Sequence, residues 1–364
     1  MDTIRKALGE TKLNYYGLSY GTVLGMTYAN IYPNNVGAFV IDGNLDPIAW
    51  TNLDCQVTNF NAIRADQGTR DTLNEFILQC NEAQSGNCPL APNAGERLDA
   101  VLERLKTDPI TLPVDGSQVE LNYAYMIDIT LLALYSPLRF LALAELFVLL
   151  EAPNPDPEAI IPVIDSVSAL MPYLRPGYDN ELEGSYAVFC SDSCNPTDYQ
   201  AIFEAGKNAT ASYGYFGEIW NWSGAPCASW TTPDADKYTG PFNAVTSTPV
   251  LVVGNLYDPA THYQNAVINN ELLQNSILLT VDTPGHTSLD LNECADAHVS
   301  EYLANPVAYA KSRGDSVCTK EHNFFDFLAT PPDASRRLGE FHKKIMEQIS
   351  MRPLPAHLKT EWGK

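Results

Sequence analysis

Positive charge is scarce in this chain. Its 364 residues carry 22 Lys and Arg against 44 Asp and Glu, a formal charge of −22. That balance argues against nucleic acid or an anionic membrane as partner, since both repel an acidic surface. An uninterrupted apolar span is also missing. The longest apolar stretch, Tyr123 to Leu150, is broken by Asp128, Pro137, Arg139 and Glu145. It reads as two buried helices, with Ser136 as N-cap and Pro137 opening the second, and not as a membrane crossing. Metal-ligand spacing is absent: Cys190-x3-Cys194 has no second close Cys or His pair beside it, so neither metal nor cofactor is expected. There is no internal repeat and no low-complexity tract. Nor is there a secretory leader: Met1-Asp2-Thr3-Ile4-Arg5-Lys6-Ala7-Leu8-Gly9 reads as the last turns of an amphipathic helix ending at Gly9.

What is present points outside the cell all the same. Eight cysteines, Cys55, Cys80, Cys88, Cys190, Cys194, Cys227, Cys294 and Cys318, are scattered and even in number, as suits disulfides in an oxidising compartment. Two sequons, Asn208-Ala-Thr210 and Asn221-Trp-Ser223, agree with secretion and glycosylation. The local pairs to expect are Cys80 with Cys88 and Cys294 with Cys318. Cys190 with Cys227 is a longer one, and it leaves Cys55 and Cys194 unassigned.

The stretch Leu13-Asn14-Tyr15-Tyr16-Gly17-Leu18-Ser19-Tyr20-Gly21-Thr22 organises the rest. An extended aromatic run enters Gly-x-Ser-x-Gly, and a helical segment follows from Thr22 to Tyr32. This strand–turn–helix context is what a nucleophile elbow requires. Gly17 and Gly21 let strand and helix approach closely, and Ser19 is pushed to the tip on a strained backbone. The N–H of Tyr20, at the helix N-terminus, can face a developing oxyanion.

The chain then divides. Residues 1–50 hold the elbow and a second apolar strand, Val36 to Ile41, which together make a βαβ unit of a parallel sheet. From 51 to about 235 strand signals nearly vanish and helical periodicity takes over, as at Leu73, Phe76, Ile77 and Cys80. This block reads as an inserted helical cap, with Ser185 to Cys190 as a short strand within it. Strands return at Pro249 to Gly254 and Ser276 to Val281, in a segment taken as 236–320. A tail of 321–364 follows, Pro-rich and then basic and helical. The fold class is α/β, with a parallel sheet and a large helical insertion.

A serine hydroxyl needs a histidine base, and the histidine needs a carboxylate. Asp258 lies five residues past the strand ending at Val253, and His286 five past the strand ending at Val281. The order Ser, acid, His is that of the α/β-hydrolases. His262 is expected on the first turn of the next helix, as a surface or pocket-wall residue. Asp42 and Asp46 follow the strand after the elbow, a position that serves as the acid site in some hydrolases. A cap over such a site favours small or end-threaded substrates.

Gly-Leu-Ser-Tyr-Gly-Thr, Tyr-Pro-x-x-Val, Val-Ile-Asp-Gly-Asn-Leu-Asp-Pro, Gly-Asn-x-x-Asp-Pro-Ala-Thr and Gly-His-Thr-Ser occur in that order. Together they resemble the tripeptidyl and prolyl aminopeptidase branch of the α/β-hydrolases, over about residues 1 to 320. The bracket Cys294 to Cys318 resembles the C-terminal domain of secreted members. The resemblance implies a secreted serine exopeptidase acting on peptides with a free N-terminus. Ser19 would be nucleophile, Asp258 the orienting acid, His286 the base and Tyr20 N–H an oxyanion donor. Acidic cap residues would bind the substrate ammonium, with Asp192 first and Glu181 and Glu183 behind it. The family's N-terminal strands and its His-Gly loop have no counterpart before Leu13, so the resemblance implies an N-terminally truncated member. A carboxylesterase with the same triad, and a catalytically impaired secreted fragment, are the alternatives.

Overall fold

The computed structural model describes residues 1–114, 117–169, 181–232 and 234–329. In chain order its strands are β1 (Leu13–Leu18), β2 (Val36–Asp42), β3 (Ile110–Val114), β4 (Ser117–Leu121), β5 (Val250–Tyr257), β6 (Ser276–Pro284) and β7 (Ser316–Cys318). All seven residues of β2 are buried, as are the first six of β5. Strands buried on both faces belong inside a parallel sheet covered by helices on each side. The sheet has the order β1-β2-β5-β6-β7, and every neighbouring pair is parallel.

Alternation along the strands sorts the side chains onto two faces. Ala38, Val40, Leu251, Val253, Leu279 and Val281 pack with Ala295, Val299 and Tyr302 of the helix Glu293–Ala304. Phe39, Ile41, Val250 and Val252 pack with Met26 and Ala29 of the helix Tyr20–Ile31, and with Ala266 of the helix Gln264–Leu272. Because the strands are parallel, the turns that follow β1, β2, β5 and β6 all lie at one edge. Ser19, Asp42, Asp258 and His286 are gathered there.

Between β2 and β5 the regular elements of the described chain are helices apart from the antiparallel pair β3–β4. That pair is not expected from the sequence: the one strand read in this block is Ser185 to Cys190. Its strands are short, mostly exposed and interrupted by Pro113, so their alternation is weak. A second departure is Ser185 to Cys190, expected as a strand but lying inside the helix Glu181–Asp192. A short apolar run reads equally as strand or buried helix turn, and here Cys190 is the buried position. The run Tyr123 to Leu150 resolves into the helices Tyr123–Leu134 and Phe140–Leu150, joined through a 3-10 turn, Pro137–Arg139, whose N-cap Ser136 makes no side-chain cap bond.

The insertion does not have a core of its own. Phe76, Leu98, Phe140 and Phe147 belong to one apolar cluster with Val23 and Leu45 of the sheet side and with Phe324 and Phe325 of the late helix Phe324–Ala329. No helix among the described residues is long and apolar enough to cross a membrane. The expected tail lies largely outside the described residues.

Four disulfides are formed: Cys80–Cys88, Cys190–Cys227, Cys294–Cys318 and Cys55–Cys194. The last supplies the pairing that spacing left open. It joins residues 139 apart, and such a long closed loop stabilises by about 5 kcal/mol in the chain-entropy picture. One glycosylation expectation is corrected. Asn221 is fully buried, and its Nδ2, the atom a glycan needs, donates to the Ile202 carbonyl at 2.6 Å. Asn208 is exposed on the helix Tyr199–Tyr213.

The shared core is testable at Phe76, which is fully buried with its ring centroid 5.1 Å from Phe140 and 5.6 Å from Phe325. Phe76→Ala is expected to cost about 3–5 kcal/mol in urea unfolding with disulfides intact. If cap and sheet unfold together, a single transition shifts.

Candidate active site

Ser19 sits between β1 and the helix Tyr20–Ile31 with φ 54° and ψ −123°, a strained conformation for a residue with a side chain. The turn closes because its neighbours are small. A Cβ on Gly17 would lie 2.4 Å from the Tyr15 ring and 2.5 Å from the Gly21 carbonyl oxygen. Tyr15 O–H donates to that same carbonyl at 2.6 Å, and Thr22 O–H donates to the Ser19 carbonyl at 2.7 Å. Tyr20 is the first residue of the helix, so its N–H has no acceptor within the helix.

Asp258 follows β5 directly and is 1% exposed. One carboxylate oxygen accepts the N–H groups of Ala260 and Thr261 at 2.9 and 2.8 Å, and the other accepts Thr287 N–H at 3.1 Å. His286 Nδ1 lies 3.0 Å from both oxygens. Burial pushes the carboxyl upward, but the charge and hydrogen bond of His286 and the N–H donors outweigh it, so Asp258 is held below the usual carboxylate range. For His286, burial lowers and the Asp258 carboxylate raises; the carboxylate wins, aided by Asp42, and the imidazole is held above 6.5. An ionised Asp258 fixes the proton on Nδ1 and leaves Nε2 free to accept another.

The end of β2 ties the serine turn to the histidine loop. Ser19 N–H donates to the Asp42 carbonyl at 3.0 Å, while the Asp42 carboxylate accepts from Ser288. At Gly43, where φ is +67°, a Cβ would meet Thr287 at 2.8 Å and His286 Cε1 at 3.3 Å. Only glycine lets that backbone approach the imidazole so closely.

The insertion holds the same loops from the other side. On the helix Ala65–Glu82, Thr69 O–H bonds the Pro259 carbonyl at 2.6 Å and Thr72 O–H the Tyr257 carbonyl at 3.0 Å. A Cβ on Gly68 would stand 2.4 Å from the Asp258 carbonyl oxygen. Tyr135 accepts His286 N–H at its carbonyl, 2.9 Å, and its ring meets the imidazole edge to face at 5.3 Å. None of these contacts was foreseen. The small residues Gly68, Thr69 and Thr72 on one helix face were the available signal.

The remaining acids separate cleanly. Asp46 caps the helix Pro47–Thr51, accepting from Ile48 and Ala49. His262 precedes the helix Gln264–Leu272 and lies 3.5 Å from Asp71. Asp192, half-buried, accepts Tyr20 O–H at 2.8 Å and the Trp50 indole N–H at 3.1 Å, which places it beside the residue that follows Ser19. Glu183 is exposed on the same helix and about 13 Å up its axis from Asp192; Glu181 opens that helix, and its side chain lies outside the described residues. The only metal-ligand cluster among the described residues is Cys294, His298 and Cys318, whose two sulfurs are bonded to each other.

Two stretches of the chain match known families. Residues 1–102 match the alpha/beta hydrolase fold family, and residues 212–318 match the TAP-like protein family. Serine protease Hip1 of Mycobacterium tuberculosis is 29% identical over 322 residues, covering 83% of this chain and 58% of its own. A tripeptidyl aminopeptidase of Streptomyces lividans is 28% identical over 319 residues, covering 83% of this chain and 54% of its own. Carboxylesterase B of Mycobacterium tuberculosis is 30% identical over 284 residues, covering 75% and 50%. The chain thus spans about half the length of the curated relatives it matches.

Gly68 offers a test with an unusual sign. In an ordinary helix Gly→Ala stabilises by about 1 kcal/mol. Here the added methyl would press on the Asp258 carbonyl, so Gly68→Ala is expected to destabilise by about 1–3 kcal/mol, read as a lower midpoint in urea. A stabilised variant would refute the close contact.

Proposed function

This chain is an α/β-hydrolase related to serine peptidases, and from that premise we propose that it acts as a serine exopeptidase at free peptide N-termini. The observation that carries the reading is the hydrogen-bonded pair of the buried Asp258 and the partly exposed His286 at the same sheet edge as the strained Ser19 turn. Ser19 Oγ attacks the scissile carbonyl carbon and gives its proton to His286 Nε2. Asp258 stabilises the imidazolium that forms. The negative oxygen of the tetrahedral intermediate is met by Tyr20 N–H, where the N-terminal end of the helix adds its partial positive charge. His286 then protonates the leaving amine. Water, deprotonated by the same nitrogen, releases the acyl group from Ser19.

Asp192 gives the reading its end-specificity. Its carboxylate is oriented by two neutral donors, Tyr20 O–H and Trp50 N–H, so its charge stays available for a substrate ammonium. The two donors are themselves held by packing: the rings of Tyr20 and Trp50 lie 5.7 Å apart, and those of Trp50 and Phe189 5.5 Å. Four disulfides suit an extracellular setting. Similarity to carboxylesterase B favours a second reading, ester hydrolysis by the same three residues.

Ser19→Ala is expected to abolish product release and fluorophosphonate labelling together. Asp192→Asn is expected to raise KM about ten- to a hundredfold for peptides with a free amine, with no change for N-acetylated ones. Hydrolysis of esters without cleavage of free-amine peptides would select the esterase reading. The base must be neutral to act, and its value is raised, so kcat/KM is expected to climb with pH through a midpoint above 6.5.

A further inference from the structure

Beside the three proposed reacting residues lies a fourth buried group whose chemistry they leave unused. Asp42, at the end of β2, is fully buried. Ser288 N–H lies 3.1 and 3.0 Å from its two carboxylate oxygens, and Ser288 O–H donates to Oδ2 at 2.8 Å. Tyr16 O–H, from β1, donates to Oδ2 at 3.2 Å. None of these donors carries positive charge. The Asp42 carbonyl meanwhile accepts Ser19 N–H. One residue therefore holds the serine turn with its main chain and the histidine loop with its side chain.

We propose that Asp42 is a positioning residue of this site, which locks the Ser19 turn to the His286 loop and lends negative charge to the imidazole from outside the Asp258 pair. The proposal rests on the reading of Ser19 and His286 given above and extends it. A carboxylate buried without a cation costs stability, so a packing role alone would be better served by an amide. Burial pushes Asp42 up to about 6, and Asp258 adds to the rise while Ser288 and Tyr16 oppose it. The ionisable groups around it are Tyr16 from β1, Asp258 after β5, His286 after β6 and Asp296 from the helix Glu293–Ala304, itself raised to about 7, mainly by burial. His286 is the one among them that becomes a cation, and Asp42 raises it.

The signs follow from linkage. A carboxyl that titrates near 6 in the fold and near 3.8 in the unfolded chain weakens the fold as pH rises from about 4 to 6. Asp42→Asn removes that loss and also removes the charge beside His286. The test is NMR titration of the His286 imidazole, assigned by comparison with His286→Gln, together with Tm at pH 5 and pH 8. Asp42→Asn is expected to lower the His286 midpoint measurably and to raise Tm at pH 8 relative to pH 5. An unmoved midpoint overturns the proposal. Should that variant fail to fold, Ser288→Ala takes its place. It deletes one donor, leaves Asp42 protonated over more of the range, and is expected to lower the His286 midpoint by a smaller amount; no change overturns the proposal equally. The titration needs no turnover, so it stands apart from the nucleophile assignment, which fails separately if Ser19→Ala retains activity.

Discussion

The burial of one carboxylate sets the terms for the rest of this structure. Asp258 is removed from water and stays ionised only because three backbone N–H groups and an imidazole surround it. Those donors come from two separate loops, so the ends of β5 and β6 must be in register before the charge can be tolerated. The parallel pairing that aligns Val250 with Ser276 through Tyr257 with Pro284 provides that register. An unsatisfied charge at this depth would cost several kcal/mol, so the sheet edge and the histidine loop are specified together.

The helical insertion takes part in this arrangement and does more than cover it. Thr69 bonds the Asp258 loop, and its hydroxyl also accepts the indole N–H of Trp220 at 2.7 Å. Trp220 stacks at a tilt on Phe60, Phe60 meets Trp50, and Trp50 bonds Asp192. A continuous chain of packed rings and hydrogen bonds thus runs from Asp192 to the loop of Asp258. Displacement at one end is passed through Trp50, Trp220 and Thr69, which are buried, and through Phe60, which is half-buried.

Much of this was legible in the sequence, for reasons particular to the residues. Gly-Leu-Ser-Tyr-Gly announces a tight strand–turn–helix because a side chain at Gly17 would strike the Tyr15 ring and the Gly21 carbonyl. Asp258 and His286, which the fold brings together, stood out because each follows a run of buried aliphatics at the same distance. The Cys80–Cys88 and Cys294–Cys318 bonds are short-range and were readable for that reason. The contacts of Gly68, Thr69, Thr72 and Tyr135 were not, since they join segments 185 to 190 residues apart at the Asp258 loop and about a hundred and fifty apart at His286. Asn221 misled because a sequon carries no information on burial, and Ser185 to Cys190 misled because a short apolar run has no period to read. Asp42 was visible as a candidate acid, but its partner, Ser288, lies in a loop that only the sheet brings near.

The bond between Cys55 and Cys194 turns most of the helical insertion into a closed covalent ring. A single break in the peptide backbone anywhere between those two residues opens the ring without dividing the molecule. Cleaved and intact chains would then have the same mass apart from one water, and would separate only after reduction. The surface loops of the insertion can be nicked while Asp192, the Asp258 loop and the Ser19 turn remain parts of one linked chain.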